Sequence, residues 1–444
     1  MIRVIQKAEQ EGDNTPVKVS VVDGNLNVSN LYTNSAVDAF GRQRISEPFT
    51  LADYTHIYGD ESELLTNKSG TLADIVNNTS QAKMTLTAGT SNGGYVVHQS
   101  RMYHHYMPGK SQLIFESFKF GNATEGGNKR IGYFDDNNGI FFQQSGDGTL
   151  SIVLRSDVSG SVQDTIIPQS SWNQDKCNGT GPSTFNLDVT KTQLFTTDFQ
   201  WLGVGRVRAG FVHDGNVIIA HEFYNSNNKD TVYWSYPSLP IRCEVRNYST
   251  PSISPSMDQI CATVLSEGGY KEAGIDFAAQ TTGYRNIVAQ GVMPVIAIRL
   301  KTGFYGKANR SIVRLGSSDL FSASQLCSYE IWRLPSGSSV IGGSWVSAGD
   351  ESAVEYNISA TGYNTTNGNK LFAGFLPAGG AGIGNTVRGS SNISDVSSAK
   401  RGYIAQNINS TDSNVFVAVF KNFAPSGPSN STDVLAGLQW REVR

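Results

Sequence analysis

Charge is what this chain has least of. Asp, Glu, Lys and Arg make up 16% of its 444 residues, against roughly 25% in ordinary soluble domains. The formal net charge is −3, so there is no basic surplus with which to displace counterions from phosphates. Direct nucleic-acid binding is therefore not expected. No apolar run approaches the ~18 residues needed to cross a bilayer, so no membrane partner is expected either. The opening MIRVIQKAEQEGDN has no continuous apolar core of the signal-peptide kind. Cysteines are few as well. Cys177, Cys243, Cys261 and Cys327 stand 66, 18 and 66 residues apart without a CxxC, which argues against a structural zinc site. Four free, buried thiols in a chain made in a reducing cytoplasm are expected.

What fills the space is Gly, Ser, Asn and Thr, with 46 glycines alone, while hydrophobic residues reach 39% and aromatics 10%. That is enough apolar material for substantial cores, joined by many turns. Low charge also suits a surface covered in part by neighbours, where an unpaired ion would be costly to desolvate.

Residues 1–38 read as an N-terminal arm, with one hairpin signal where Val17–Val21 and Leu26–Val28 flank Asp23-Gly24. A lone hairpin is marginal in water, so it should pair with something else. Residues 39–280 read as a large antiparallel sandwich of jelly-roll (concanavalin-like) type. Its strands are expected at Leu113–Phe120, Arg130–Phe134, Ile140–Gln143, Leu150–Leu154, Ile241–Val245 and Ile260–Leu265. Trp201–Val212 and Val217–Phe223 read as a hairpin closed around His213-Asp214-Gly215-Asn216, with Trp201 as core. The best helix candidate is Ser62–Val76, apolar at 64, 65, 72, 75 and 76 but interrupted by Gly70. Residues 281–444 read as a second β-sandwich. Its strands are expected at Val295–Leu300, Ser328–Leu334, Ala353–Ile358, Val415–Phe420 and Val434–Trp440, with a glycine-rich surface loop over Ala378–Ser398.

Catalytic patterns are weak. GGAGIG at 379–384 lacks the strand–helix frame and the Lys-Ser/Thr of a phosphate loop. His98, His104 and His105, or His213 and His221, lack a carboxylate or cysteine spaced to complete a metal site. The Asp135–Gly139 stretch DDNNG reads as a turn rather than a calcium loop. Glu116, Asp198, Glu222 and Glu244 fall in or near strands, but nothing pairs them across a cleft as glycoside hydrolysis requires. No catalytic residue, cofactor or metal is therefore assigned. Trp234 and Tyr236, near Pro237 and Pro240, are the candidate surface aromatics for stacking on a sugar or a partner.

Five segments carry a family resemblance: AFGRQRISEPFTLADY (39–54), RMYHHYMPGKSQLIFESFKFG (101–121), RIGYFDDNNGIFF (130–142), WLGVGRVRAGFVHDGNVIIAHEF (201–223) and LQWREVR (438–444). Together they resemble a family of virion structural proteins of tailed phages, especially those of marine and cyanobacterial hosts. The resemblance implies a particle component without specifying which; the expectation adopted is an exterior one, in capsid decoration, vertex, neck or tail. It brings no catalytic residues with it. In the first segment Phe40 and Phe49 read as anchors, and Arg42 and Arg44 as planar donors to carbonyls or carboxylates, giving a connector between arm and body or between subunits, with an ordinary surface loop as the equal alternative. Its expected partners are copies of itself, in a closed trimer or higher ring, and other virion proteins. The alternative is a glycan-binding or glycan-cleaving module of a tail fibre, recognising a host surface glycan.

Overall fold

The computed structural model describes residues 38, 48–59, 64–271, 274–378 and 402–444, together with the backbone of two N-terminal strands. Those two, β1 (Val19–Val22) and β2 (Asn25–Val28), form the expected antiparallel hairpin, with Val22 facing Asn25. Among the described residues they pair with no other strand.

The first body contains β3 (Phe49–Thr55), β4 (Leu64–Ser69), β5 (Ala73–Asn78), β6 (Lys83–Ala88), β7 (Tyr95–Ser100), β8 (Ser111–Lys119), β9 (Gly127–Phe134) and β10 (Gly139–Gln144). It continues through β11 (Leu150–Ser156), β12 (Gln163–Pro168), β13 (Gln193–Phe199), β14 (Val207–His213), β15 (Asn216–Phe223), β16 (Ile241–Asn247) and β17 (Ser256–Glu267). One sheet runs β12-β11-β10-β9-β16-β7-β4; the other runs β15-β14-β13-β8-β17-β6-β5, with β3 also on β17. Every pairing is antiparallel, in a concanavalin-like sandwich. The period-2 pattern of β-strands sends alternate side chains inward. Thus Ile114 and Phe118 of β8, Ile131 and Tyr133 of β9, and Cys243 and Val245 of β16 meet in one apolar core.

The Ser62–Val76 helix does not form among its described residues. Leu64–Ser69 and Ala73–Asn78 are strands in opposite sheets, and the chain turns the corner with Gly70 at φ +103° and Leu72 at φ +64°. The apolar spacing fits a helix, but a glycine in that backbone region breaks one. The hairpin after residue 201 is present, yet it starts at Val207. Trp201–Gly205 is a turn, with the Gly205 N–H donating to the Trp201 carbonyl. Trp201 packs half-buried against the core from that turn.

The second body contains β18 (Ile275–Gln280), β19 (Arg285–Ile287), β20 (Val292–Leu300), β21 (Gly303–Phe304), β22 (Lys307–Ala308), β23 (Ile312–Ser322), β24 (Cys327–Leu334) and β25 (Val340–Ile341). After these come β26 (Val346–Ser347), β27 (Val354–Asn357), β28 (Gly362–Tyr363), β29 (Asn369–Leu376), β30 (Tyr403–Ile404), β31 (Val415–Asn422) and β32 (Thr432–Val443). Its sheets are β18-β32-β23-β30, with β19 on β32, and β26-β27-β20-β31-β24-β29. All five expected strands of this half are present. The boundary lies earlier than residue 280, because β18 pairs with β32. The first body ends with β17. Most of the glycine-rich stretch 378–398 lies outside the described residues, among which there is no α-helix.

The two bodies touch. Met102 is buried with Ile312, Tyr403, Ala405 and Val443 in a small apolar cluster. Beside it the Arg310 guanidinium lies over the Tyr103 ring at 4.2 Å. All four cysteines are free as expected, but Cys261 is exposed rather than buried. A β-bulge between Gln259 and Cys261 turns it out of the inward row.

Candidate recognition site

The two aromatics singled out for surface contact part company. Trp234 is 0% exposed and meets Phe199 edge-on at 5.1 Å. It is core, and cannot offer a face to a ligand. Tyr236 is half-buried, and its hydroxyl donates to Asp135 Oδ2 at 2.6 Å. Burial first, and then the Asp135 charge, push its pKa far above the ordinary tyrosine value. Asp135 Oδ1 accepts the N–H groups of Asn137 and Asn138 at 2.8 and 2.9 Å, while Tyr103 also donates to Oδ2. The DDNNG stretch is thus a side-chain-capped hairpin turn between β9 and β10. Its first carboxylate is already occupied by four donors. A calcium ion would have to displace them.

Phe49 stacks on Tyr270 with ring centroids 5.0 Å apart. Phe40, Arg42 and Arg44 lie outside the described residues. Nearby, the Arg206 guanidinium donates to the carbonyl of Asp38, which is itself buried. The chain therefore meets the body at Asp38 and again at Phe49.

The histidines do not assemble a ligand set. His98 Nδ1 sits 2.7 Å from Gln259 Oε1, and His104 Nδ1 lies 2.9 Å from the Leu239 carbonyl. Burial lowers the pKa of His104 to about 4, and that of His221 likewise. His213 faces Asn216 at the tip of the β14–β15 hairpin, whereas His221 faces Ala209 further down it. The two never meet.

Nor do the four strand carboxylates line a cleft. Glu244 is 1% exposed and held by Arg130 and Arg246 at 2.9 Å and by Arg242 at 2.5 Å. Their charges outweigh its burial and keep its carboxyl well below the usual range. Asp198 is paired with Arg208, both buried on the outer face of the other sheet. Glu222 accepts the Tyr224 hydroxyl at 2.5 Å. Glu116 follows the inward row of β8 into the core, where neither oxygen has a hydrogen-bond partner. Burial raises its pKa well above the ordinary 4.5.

A recess that sequence reasoning missed lies on the outer face of the eight-stranded sheet. It is a groove of about 570 Å³ with Ser117, Leu194, Val212 and Ile260 in its floor. Its walls come from the β14–β15 turn, with His213 and Asp214, and from the long connection between Ser171 and Gln193. That connection is tightly braced. Asp175 accepts the N–H groups of Cys177 and Ser183, each at 2.7 Å, and Leu187 N–H donates to the Cys177 carbonyl. Phe185 roots it in the core, and His213 stacks on Phe185 at 4.5 Å. The signal was present in WNQDKCNGTGPSTFNLDVTKT (172–192), a stretch dense in turn formers whose single short alternation, Phe185-Leu187-Val189, packs on the core without forming a strand. Structureless connections longer than about 12–15 residues are uncommon inside compact domains and are usually functional.

No protein-family model matches this chain, and no curated protein does. Solved structures similar to it include a glycoside hydrolase family 16 endo-glucanase from Bacteroides ovatus. There the identity is 9% and the TM-score 0.32, covering 48% of this chain and 99% of the other. The CBM2 module of the evolved Dit of Lactobacillus casei BL23 phage J-1 matches at 8% identity and TM-score 0.32, over 51% and 99%. The metal-free carbohydrate recognition domain of Emp46p matches at 8% and TM-score 0.27, over 48% and 95%. The β-sandwich layout rests on the strand order itself.

Proposed function

We propose that this chain is a structural subunit of a tailed-phage particle, exposed on its exterior and acting through contacts between subunits rather than through catalysis. The observation that carries the reading is the N-terminal hairpin. β1 and β2 hydrogen-bond to each other and to no other described strand, and a two-stranded hairpin alone is at best marginally stable in water. Such an element is expected to gain its stability by docking on another surface, and a neighbouring copy is one it would meet repeatedly in a particle. The five segments that resemble those of virion structural proteins support the same reading. So does the low charge of the chain, which eases burial between copies. The engagement of Glu116, Asp198, Glu222 and Glu244, each ion-paired, hydrogen-bonded or buried in the core, favours this reading over the depolymerase alternative.

The test is the mass of the full-length chain in solution, by light scattering and native mass spectrometry, beside a variant lacking residues 1–47. A closed oligomer that falls to monomer on truncation is expected. A full-length chain that stays monomeric at high concentration overturns the reading.

A further inference from the structure

We propose that the groove on the outer face of the eight-stranded sheet binds an uncharged saccharide. Saccharide recognition needs a flat ring face, against which the C–H side of a pyranose can pack, and fixed polar groups that pair with its hydroxyls. Both are present on one rim. His213 is 52% exposed at its side chain and lies on Phe185, which is anchored in the core. It is therefore a held platform rather than a free ring. Around it stand Asp188, Asn186, Gln193 and Asp214, a mixture of carboxylates and amides able to accept from and donate to neighbouring hydroxyls.

The carboxylate of Asp188 is pre-set. Its Oδ1 accepts both the N–H and the hydroxyl of Thr190, at 2.9 and 2.6 Å. These bonds hold the carboxyl ionised and below the usual range, and they leave Oδ2 open. The bracing of the 172–192 connection by Asp175 keeps this wall in place before any ligand arrives, which reduces the ordering cost of binding. Ligand class follows from charge. Among the described residues lining the groove there is no Lys or Arg, while two carboxylates are present. Uronic acids, sialic acids and phosphorylated glycans would be repelled, and neutral hexoses or their oligomers would not. The volume of about 570 Å³ lies within the roughly 300–1,000 Å³ of ligand clefts. The residues first singled out for sugar contact do not line the groove: Trp234 is in the core and Tyr236 is tied to Asp135.

The full-length protein, fluorescently labelled, would be applied to an array of neutral, amino and acidic oligosaccharides. Its affinity for the best neutral ligand would then be measured by calorimetry for the parent, His213→Ala, the double variant Asp188→Asn/Asp214→Asn, and Tyr236→Phe as a control outside the groove. Neutral saccharides retained above background, with at least a tenfold weakening in both groove variants and none in Tyr236→Phe, is the expected result. Far-ultraviolet circular dichroism and melting curves matching the parent would show that the groove variants are folded. Retention of no neutral saccharide, a preference for acidic ones, or parent-like affinity in the folded groove variants would each overturn the proposal. Oligomeric state is not read in this assay, so its outcome is independent of the subunit-contact reading.

Discussion

Glu116 and Glu244 are both buried glutamates in adjacent layers of one sandwich, and their surroundings drive them in opposite directions. Glu244 lies among three guanidinium groups and stays ionised. Glu116 lies among apolar side chains, with Phe195 and Ala262 beside it across the two flanking strands, and burial favours its neutral form. The folded protein therefore keeps a proton on Glu116 that the unfolded chain releases once pH exceeds the ordinary 4.5. The stability associated with that proton is complete below this pH and is lost progressively as pH rises towards the folded pKa. Replacing Glu116 by Leu removes an unsatisfied buried polar group, which typically costs about 1–3 kcal/mol. The urea midpoint of the first sandwich is expected to rise by a corresponding amount. Glu116→Gln is expected to flatten the dependence of that midpoint on pH between 5 and 8. A midpoint that falls in the Leu variant, together with an unchanged slope in the Gln variant, would mean that the carboxyl has a stabilising partner in the folded protein.

Among the elements, the β9–β10 hairpin shows how local chemistry and the sheet agree. Asp135 caps the turn through two backbone N–H groups, and Gly139 re-enters the sheet at φ +136°. A Cβ there would stand 2.3 Å from Phe134 Cα. Gly139→Ala is thus both conformationally strained and sterically blocked, and is expected to destabilise the body by more than ~1 kcal/mol. Accelerated amide exchange along β9 and β10, ahead of β16 and β17, is the measurable sign. Uniform exchange would argue against a local effect. The turn signals, the strands from Leu113 to Leu154 and most of the second body were legible in the sequence because alternation and turn residues are local properties. The corner at Leu64–Asn78 was not legible. Its apolar residues serve two different sheets, so their combined spacing imitates a helix. The edge strand β12, with Ile166 54% exposed, lacks the buried face that makes a strand recognisable.

At the scale of the whole molecule, the two sandwiches join through the apolar cluster around Met102 and the Arg310–Tyr103 contact. Arg310 also reaches Asp135 at 4.0 Å and Asn67 donates to Asn409 at 3.5 Å, so this junction should couple the unfolding of the bodies. Met102→Asp places a charge at its centre, from which both bodies must desolvate it. Calorimetry is expected to show two separated unfolding transitions in this variant where the parent's overlap. One transition of unchanged shape would mean that the coupling runs elsewhere.

The sequence by itself determined the class of the protein: all-β, two bodies, many turns and little charge. Those features follow from composition and from a two-residue period, and they need no knowledge of which strands are neighbours. Where the side chains went depends on the assembled fold. It buried Trp234 and enclosed Glu244 in arginines. It also brought the β14–β15 turn against a connection from before β13 to form a groove. Each of these depends on strand order and on which face of a sheet is covered. Hydrogen bonds and packing between residues distant in the chain set that order, and local pattern does not encode it.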